Sequence, residues 1–217
     1  MILVPDDLPL PGDAPSAAIT EQIIVTGAYT GRDTRPSGDP APVGLTVRRG
    51  MVVGRNLARM DGILVLEPEP DGMAAPRLYR RDAVAIDGRR YDLRDPAIRA
   101  QFLEVAARLG ASVLQSHLLV IDGRVDTRAV EGAPLAKRRL LFTKGHSFGL
   151  WESAGAVTLD DAARAIAAEV APDMALNLDM GSFDLCLRHI EGREIACGFN
   201  PSDFGTRLST LLVLKRR

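Results

Sequence analysis

Apolar residues in this chain fall in short runs set between turn signals, and few of the runs are long enough for a helix. "ITEQIIVTGAY" (19–29) reads as a strand because of its β-branched content, although its alternation is imperfect. The first eighteen residues and "GRDTRPSGDPAP" (31–42) are rich in Pro, Gly and Asp, which predicts an arm and a long loop. Beyond them, Asp61-Gly62, Asp71-Gly72, Asp87-Gly88 and Asp122-Gly123 are hairpin-type dipeptides, and "AVAIDGRRYDL" is the cleanest predicted hairpin.

Two segments carry a helical period instead. Asp95 is a suitable N-cap with Pro96 at the first helical position, and Ile98, Phe102, Val105, Ala106 and Leu109 form one apolar face before Gly110 ends the helix. The second helix begins at "TLDD", where Thr158 caps and Asp161 takes the third position; Ala162, Ile166 and Val170 line its buried side. The helices lead into the strands "ASVLQSHLLVI" and "DMALNLD". The pattern predicts an α+β fold: an N-terminal arm over 1–18, then a single domain over 19–217 whose mixed, largely antiparallel sheet is packed by two main helices.

Composition narrows the function classes. The 217 residues suffice for one large domain or two small ones. Lys plus Arg number 27 against 28 Asp plus Glu, so no net field draws the chain to nucleic acid. The basic clusters Arg48-Arg49 to Arg55, Lys137-Arg138-Arg139 and Lys215 to Arg217 lack the aromatic residues that would stack bases, and they read as solvated faces. No apolar stretch reaches the roughly 20 residues of a membrane-spanning helix. The opening residues lack a signal peptide's basic and apolar regions, so the expectation is a soluble chain, cytoplasmic or already trimmed.

Candidate chemistry is sparse. Among three histidines, His117, His146 and His189, no HxxxH or HExxH spacing occurs, and no zinc ligand set or CxxC can be assembled; no cofactor is expected, and ligand spacing supports no divalent cation. A two-residue turn at Glu191-Gly192 places Ile190 opposite Arg193 and, counting outward, Cys186 opposite Cys197. Opposed Cα atoms lie about 4.5–5.5 Å apart, near disulfide range. The pair is either a disulfide or, as the preferred reading unless the protein is exported, two small buried apolar residues.

The stretch "MALNLDMGSFDLCL" (174–187) sets Asn177 and Asp179 at the end of an apolar run that breaks at Gly181-Ser182. A strand that only packs has no use for a carboxylate there, whereas one that delivers it into a cleft does. The alternative is turn chemistry, since an Asp after a strand commonly caps the following turn.

In order and spacing, "VTGAY", "PVGLTVRRG", "LQSHLLVIDGRVD", "RRLLFTKG", "ALNLDMGSF" and "FNPSDFGTRLSTLLVL" resemble the phosphodiester glycosidase domain family over about residues 20–214. Against that family's patterns, Thr26, Gly27, Ala28 and Tyr29 stand where an Asn-Gly-Gly-Phe-Phe type turn is usual. His117 replaces the glycine of a "QSGP" type segment, and Met180 replaces a glycine after Asp179. The resemblance implies a hydrolase that cleaves a glycosyl phosphodiester at the anomeric carbon, small-molecule or glycan in nature. It also implies export, with oligomeric state left open.

On that resemblance, Asp179 is the catalytic carboxylate and Arg139 the cation that holds the phosphate. Thr26, Gly27, Tyr29, Ser116, His117, Asn177, Gly181 and Ser182 line the pocket. The leaving phosphate monoester is already a stable anion, so the chemistry needs a cation and one carboxylate more than a strong general acid. Asp184 is a candidate second carboxylate, or a solvent-facing strand residue. The rivals to this reading are a catalytically silent carbohydrate- or phosphate-binding domain and an envelope protein-interaction module.

Overall fold

Turns whose geometry is fixed by one or two left-handed residues set most of the sheet registers. The computed structural model describes residues 2–3, 21–31, 41–68, 74, 76–180, 184–190, 193–197 and 208–216. The chain forms two compact units: residues 44–178 make up unit 2, and the flanking segments 1–43 and 179–217 make up unit 1.

The first segment of unit 1 holds β1 (Ile2–Leu3), β2 (Glu21–Thr26), β3 (Thr30–Gly31) and β4 (Ala41–Pro42). Unit 2 follows with β5 (Thr46–Arg48), β6 (Met51–Gly54), β7 (Gly62–Leu66), β8 (Arg77–Arg80), β9 (Val84–Ile86), β10 (Arg89–Tyr91), α1 (Pro96–Arg108), β11 (Ser112–Ser116), β12 (Leu118–Ile121) and β13 (Arg124–Val125). It ends with β14 (Arg139–Lys144), β15 (Ser147–Glu152), α2 (Leu159–Glu169) and β16 (Met174–Leu178). The second segment of unit 1 adds β17 (Cys186–Ile190), β18 (Arg193–Ala196) and β19 (Leu211–Arg216).

The expected single mixed sheet is corrected. Among the described residues, unit 1 has one five-stranded sheet, β1-β19-β2-β17-β18, and the short pair β3-β4. Unit 2 has two five-stranded sheets, β6-β5-β11-β7-β8 and β13-β12-β16-β14-β15, with the hairpin β9-β10. Pairings among the described strands are antiparallel, because tight hairpins and the two helices return the chain beside strands that run the other way. Among the described residues the chain is largely β with two helices.

Two of the Asp-Gly dipeptides act as expected. Asp87-Gly88 turns β9 into β10 and Asp122-Gly123 turns β12 into β13, each with both residues at positive φ, the geometry of a two-residue hairpin. Arg49-Gly50 does the same between β5 and β6. Asp61-Gly62 does not turn: Gly62 lies inside the ladder, opposite both Ser116 and Arg80. A Cβ there would crowd the Leu176 side chain and come within 2.7 Å of Leu118 Cδ1, so this glycine serves close packing. Asp71-Gly72 falls outside the described residues.

Both helices form with the predicted caps. Asp95 accepts from the Ala97 and Ile98 amides, and Thr158 and Asp161 complete a reciprocal capping box. On α1, Phe102, Leu103 and Ala106 are buried in the core formed with Val47, Ile63 and Val113, while Ile98, Val105 and Leu109 pack at its margin. On α2, Ala162, Ala163 and Ile166 are buried with Leu119, Leu140 and Ala175. A separate core in unit 1 joins Ile24, Leu185, Leu208, Leu211 and Val213. Among the described residues, no helix is long and apolar enough to cross a membrane.

Candidate functional site

In unit 1 the candidate residues gather on the turn that follows β2. Thr26, fully buried, donates its amide to the Leu185 carbonyl (3.2 Å) and accepts the Leu185 amide on its hydroxyl (3.0 Å). Gly27 donates its N–H to the Thr210 carbonyl (3.1 Å), and the Ala28 amide bonds the Thr210 hydroxyl (2.7 Å). The Tyr29 carbonyl accepts from the Val43 amide (2.7 Å). The turn is thus fixed by residues far away in sequence, and Thr26 is committed to holding it.

Asp179 is anchored on the same turn twice. Its amide donates to the Gly27 carbonyl (3.0 Å), and its Oδ2 accepts from the Thr30 amide (3.2 Å), 149 residues away in sequence. The carboxylate is half-buried. The bond to Thr30 reaches another segment, unlike the local turn cap weighed from the sequence. The Thr30 hydroxyl is itself tied to Ser209. Asp184, just before β17, is buried at 7% exposure, which overturns the solvent-facing alternative. Gly181 and Ser182 lie outside the described residues.

In unit 2 the candidates lie where β11 passes into β12 beside β16. Ser116 is buried and its hydroxyl donates to the Asn177 carbonyl; the Asn177 amide donates to the His117 carbonyl (2.9 Å), and Asn177 Nδ2 to the Leu178 carbonyl (2.9 Å). His117 is half-buried. Its imidazole is held below the ordinary histidine range mainly by burial, helped by Arg138 and opposed by the Asp61 carboxylate.

Arg139 opens β14 and is fully buried, so the reading of Lys137-Arg138-Arg139 as a solvated face fails at this position. Its Nε donates to Glu152 Oε1 at 2.6 Å, directly across the β14–β15 ladder. Buried charge demands such a partner. On the other side Arg139 is paired with Leu178 and Leu140 with Asn177, so the pleat sends the Arg139 and Asn177 side chains to opposite faces of the sheet. Arg138 is half-buried and bonds the Val157 and Pro134 carbonyls.

Neither Glu152 nor Gln115 was expected as a candidate site residue from the sequence. Glu152 could have been found from the Gly145-His146 turn, whose glycine at positive φ pairs Lys144 with Ser147 and, counting back, Arg139 with Glu152. Gln115 had no such signal. Fully buried, it accepts the Leu45 and Ala58 amides on Oε1 and donates to the Met60 carbonyl (2.6 Å), pinning the 58–60 loop.

The cysteine register is as counted: Ile190 faces Arg193, and Cys186 and Cys197 meet at a Cα separation of 4.9 Å. They form a disulfide, so the preferred reading as two small apolar residues is corrected.

No protein-family model matches the chain, and no curated protein matches it. Solved structures do. The catalytic domain of zebrafish N-acetylglucosamine-1-phosphodiester alpha-N-acetylglucosaminidase, auto-inhibited by its pro-peptide, aligns with a TM-score of 0.50 and 13% identity over 92% of this chain and 64% of that one. A Burkholderia pseudomallei protein whose name assigns it to the exported proteins aligns with a TM-score of 0.55 and 12% identity, over 92% of this chain and 66% of that one. The chain therefore spans less than two thirds of the length of either neighbour. At these identities the relationship is one of fold, and it includes the catalytic domain of a glycosidase.

Proposed function

We propose that the chain is a hydrolase that cleaves a glycosyl phosphodiester at the sugar's anomeric carbon, with Asp179 as its catalytic carboxylate. The observation that carries this reading is the anchoring of Asp179: a half-buried carboxylate whose backbone is locked to Gly27 and whose Oδ2 is held by the Thr30 amide. A carboxylate oriented in this way costs little reorganisation when positive charge develops on the sugar ring. The fold likeness to a glycosidase catalytic domain and the ordered motifs support the same reading.

In this reading the scissile bond joins the anomeric carbon to a phosphate oxygen. The phosphate monoester departs with the electron pair, and Asp179 stabilises the oxocarbenium-like centre or attacks it. Asp184 is the second carboxylate. Arg139, which the resemblance assigns to the phosphate, is fully buried and bonded through its Nε to Glu152, so that role requires the guanidinium to be uncovered. Gly27 and Tyr29, on the turn that anchors Asp179, line the sugar side, while Thr26 holds the turn. The disulfide suits an exported protein.

The second reading is a silent carbohydrate- or phosphate-binding domain of the same fold, and two observations favour it: the full burial of Arg139 and the commitment of Thr26 to Leu185. The experiment that separates them is release of free sugar from a panel of sugar phosphodiesters, N-acetylglucosamine-phosphate esters included, by the wild type and Asp179→Asn. Turnover that falls at least a hundredfold in Asp179→Asn supports the hydrolase. Sugar binding without turnover, unchanged by the substitution, supports the silent domain.

A further inference from the structure

We propose that Ser209 and Thr210, the dipeptide just ahead of β19, are positioning residues for Asp179, each governing one of the two bonds that tie it to the turn after β2. Thr210 governs the bond to the Asp179 backbone, and Ser209 the bond to its carboxylate. The residues concerned all belong to unit 1.

The β2–β19 ladder ends at the pair Thr26–Leu211, and one further step sets Thr210 opposite Gly27. Ser209 and Thr210 are buried, at 6% and 2% exposure, between the equally buried Leu208 and Leu211. Apolar side chains would pack in this run as well, and a buried hydroxyl is costly unless it is bonded. Here both hydroxyls bond to the turn.

The Thr210 carbonyl accepts the Gly27 amide (3.1 Å), and the Thr210 hydroxyl accepts the Ala28 amide (2.7 Å). The Ala28 N–H and the Gly27 carbonyl belong to one planar peptide group, so the hydroxyl that holds the first also aims the second. That carbonyl accepts the Asp179 amide (3.0 Å). Ser209 acts one peptide further on. Its amide donates to the Thr30 hydroxyl (3.1 Å), the two hydroxyls share a hydrogen bond (3.0 Å), and the Thr30 amide donates to Asp179 Oδ2 (3.2 Å). Val43 holds the same peptide group through the Tyr29 carbonyl (2.7 Å), so Ser209 shares this second task.

The inference deepens the hydrolase reading and rests on it only for the catalytic consequence. A carboxylate that serves a developing positive charge must already stand in place, and a small displacement of it is costly.

The first arm of the test reads the two bonds without turnover, by amide hydrogen exchange of the full chain. Thr210→Val keeps the side-chain shape and removes the acceptor; the Ala28 and Asp179 amides are expected to exchange about tenfold faster, with Thr30 little changed. Ser209→Ala and Thr30→Val are expected to act the other way round, on the Thr30 amide and not on Ala28 or Asp179. Thr210→Ser and Thr30→Ser keep the hydroxyls and are expected to restore the wild-type pattern. Uniform acceleration of all these amides in the folded variants, or none, overturns the assignment; the variants at half-buried Thr30 decide it should Thr210→Val fail to fold.

The second arm is steady-state kinetics on the most reactive phosphodiester of the panel. Thr210→Val is expected to lower kcat about tenfold with KM within about twofold of the wild type, and Thr210→Ser to recover most of the loss. A loss confined to KM, or one as large in Thr210→Ser as in Thr210→Val, overturns the positioning role. Absence of turnover in the wild type fails the hydrolase reading instead, and the exchange pattern still decides whether Ser209 and Thr210 hold Asp179.

Discussion

Arg139 shows how burial changes the meaning of a residue. In the sequence it is one of three consecutive basic residues, and a guanidinium in that setting reads as a surface charge or as a phosphate ligand. In the fold it has no exposed surface and is held by Glu152 at 2.6 Å, while the Glu152 side chain stays 30% exposed and is also 4.0 Å from Lys137. The asymmetry predicts unequal consequences of mutation. Glu152→Gln removes the carboxylate that bonds a buried cation at 2.6 Å and is expected to cost about 3 kcal/mol, read as a lower urea midpoint at unchanged m-value. Lys137→Gln removes only a long, exposed contact and is expected to change stability by less than about 0.5 kcal/mol. Equal losses from the two substitutions would mean that the Arg139 charge is balanced elsewhere. Asp179 is the converse case: its place after an apolar run could be read from the sequence, but its bond to Thr30 joins segments 149 residues apart and had no local signal.

At the scale of elements, legibility depends on how local the determining interaction is. The caps of α1 and α2 and the Asp87-Gly88 and Asp122-Gly123 hairpins are decided within a few residues, and the sequence specifies them. Asp61-Gly62 is the same dipeptide with another cause, the approach of Leu118 and Leu176 to a strand glycine, which only the tertiary structure supplies. The arrangement into several sheets was hidden for a similar reason, since β11 lies between β5 and β7 and β16 between β12 and β14. The β17–β18 hairpin combines both situations. Its register follows from counting, whereas the oxidation state of Cys186 and Cys197 depends on the compartment. The disulfide closes a short loop, with a sequence separation of 11, in a strand pair whose outer member β18 is exposed along its length. Reduction, or Cys197→Ser, is expected to lower stability by about 2–3 kcal/mol and to speed amide exchange first in β18. Unchanged exchange in β18 after reduction would show that the ladder to β17 holds the strand without the covalent link.

For the whole molecule, the arrangement of the two units along the chain makes its own prediction. Residues 44–178 are continuous, contain both helices, and carry two buried clusters whose members all fall within that span, one from Leu45 to Val113 and one from Leu119 to Ala175. Unit 1 is built from two segments, and its cluster unites Ile24 of the first with Leu185 and Leu211 of the second. A contiguous segment with its own core can fold without the rest, whereas a unit assembled from distant segments must first close the chain between them. The fragment 44–178 is therefore expected to fold alone, with a cooperative urea transition, dispersed amide resonances and a stability within the usual range of about 5–15 kcal/mol. Asp179 and the turn that anchors it are absent from this fragment. A fragment that binds a hydrophobic dye and loses structure gradually would show that the clusters of unit 2 depend on the flanking segments, and the chain would then be one folding unit despite its two compact parts.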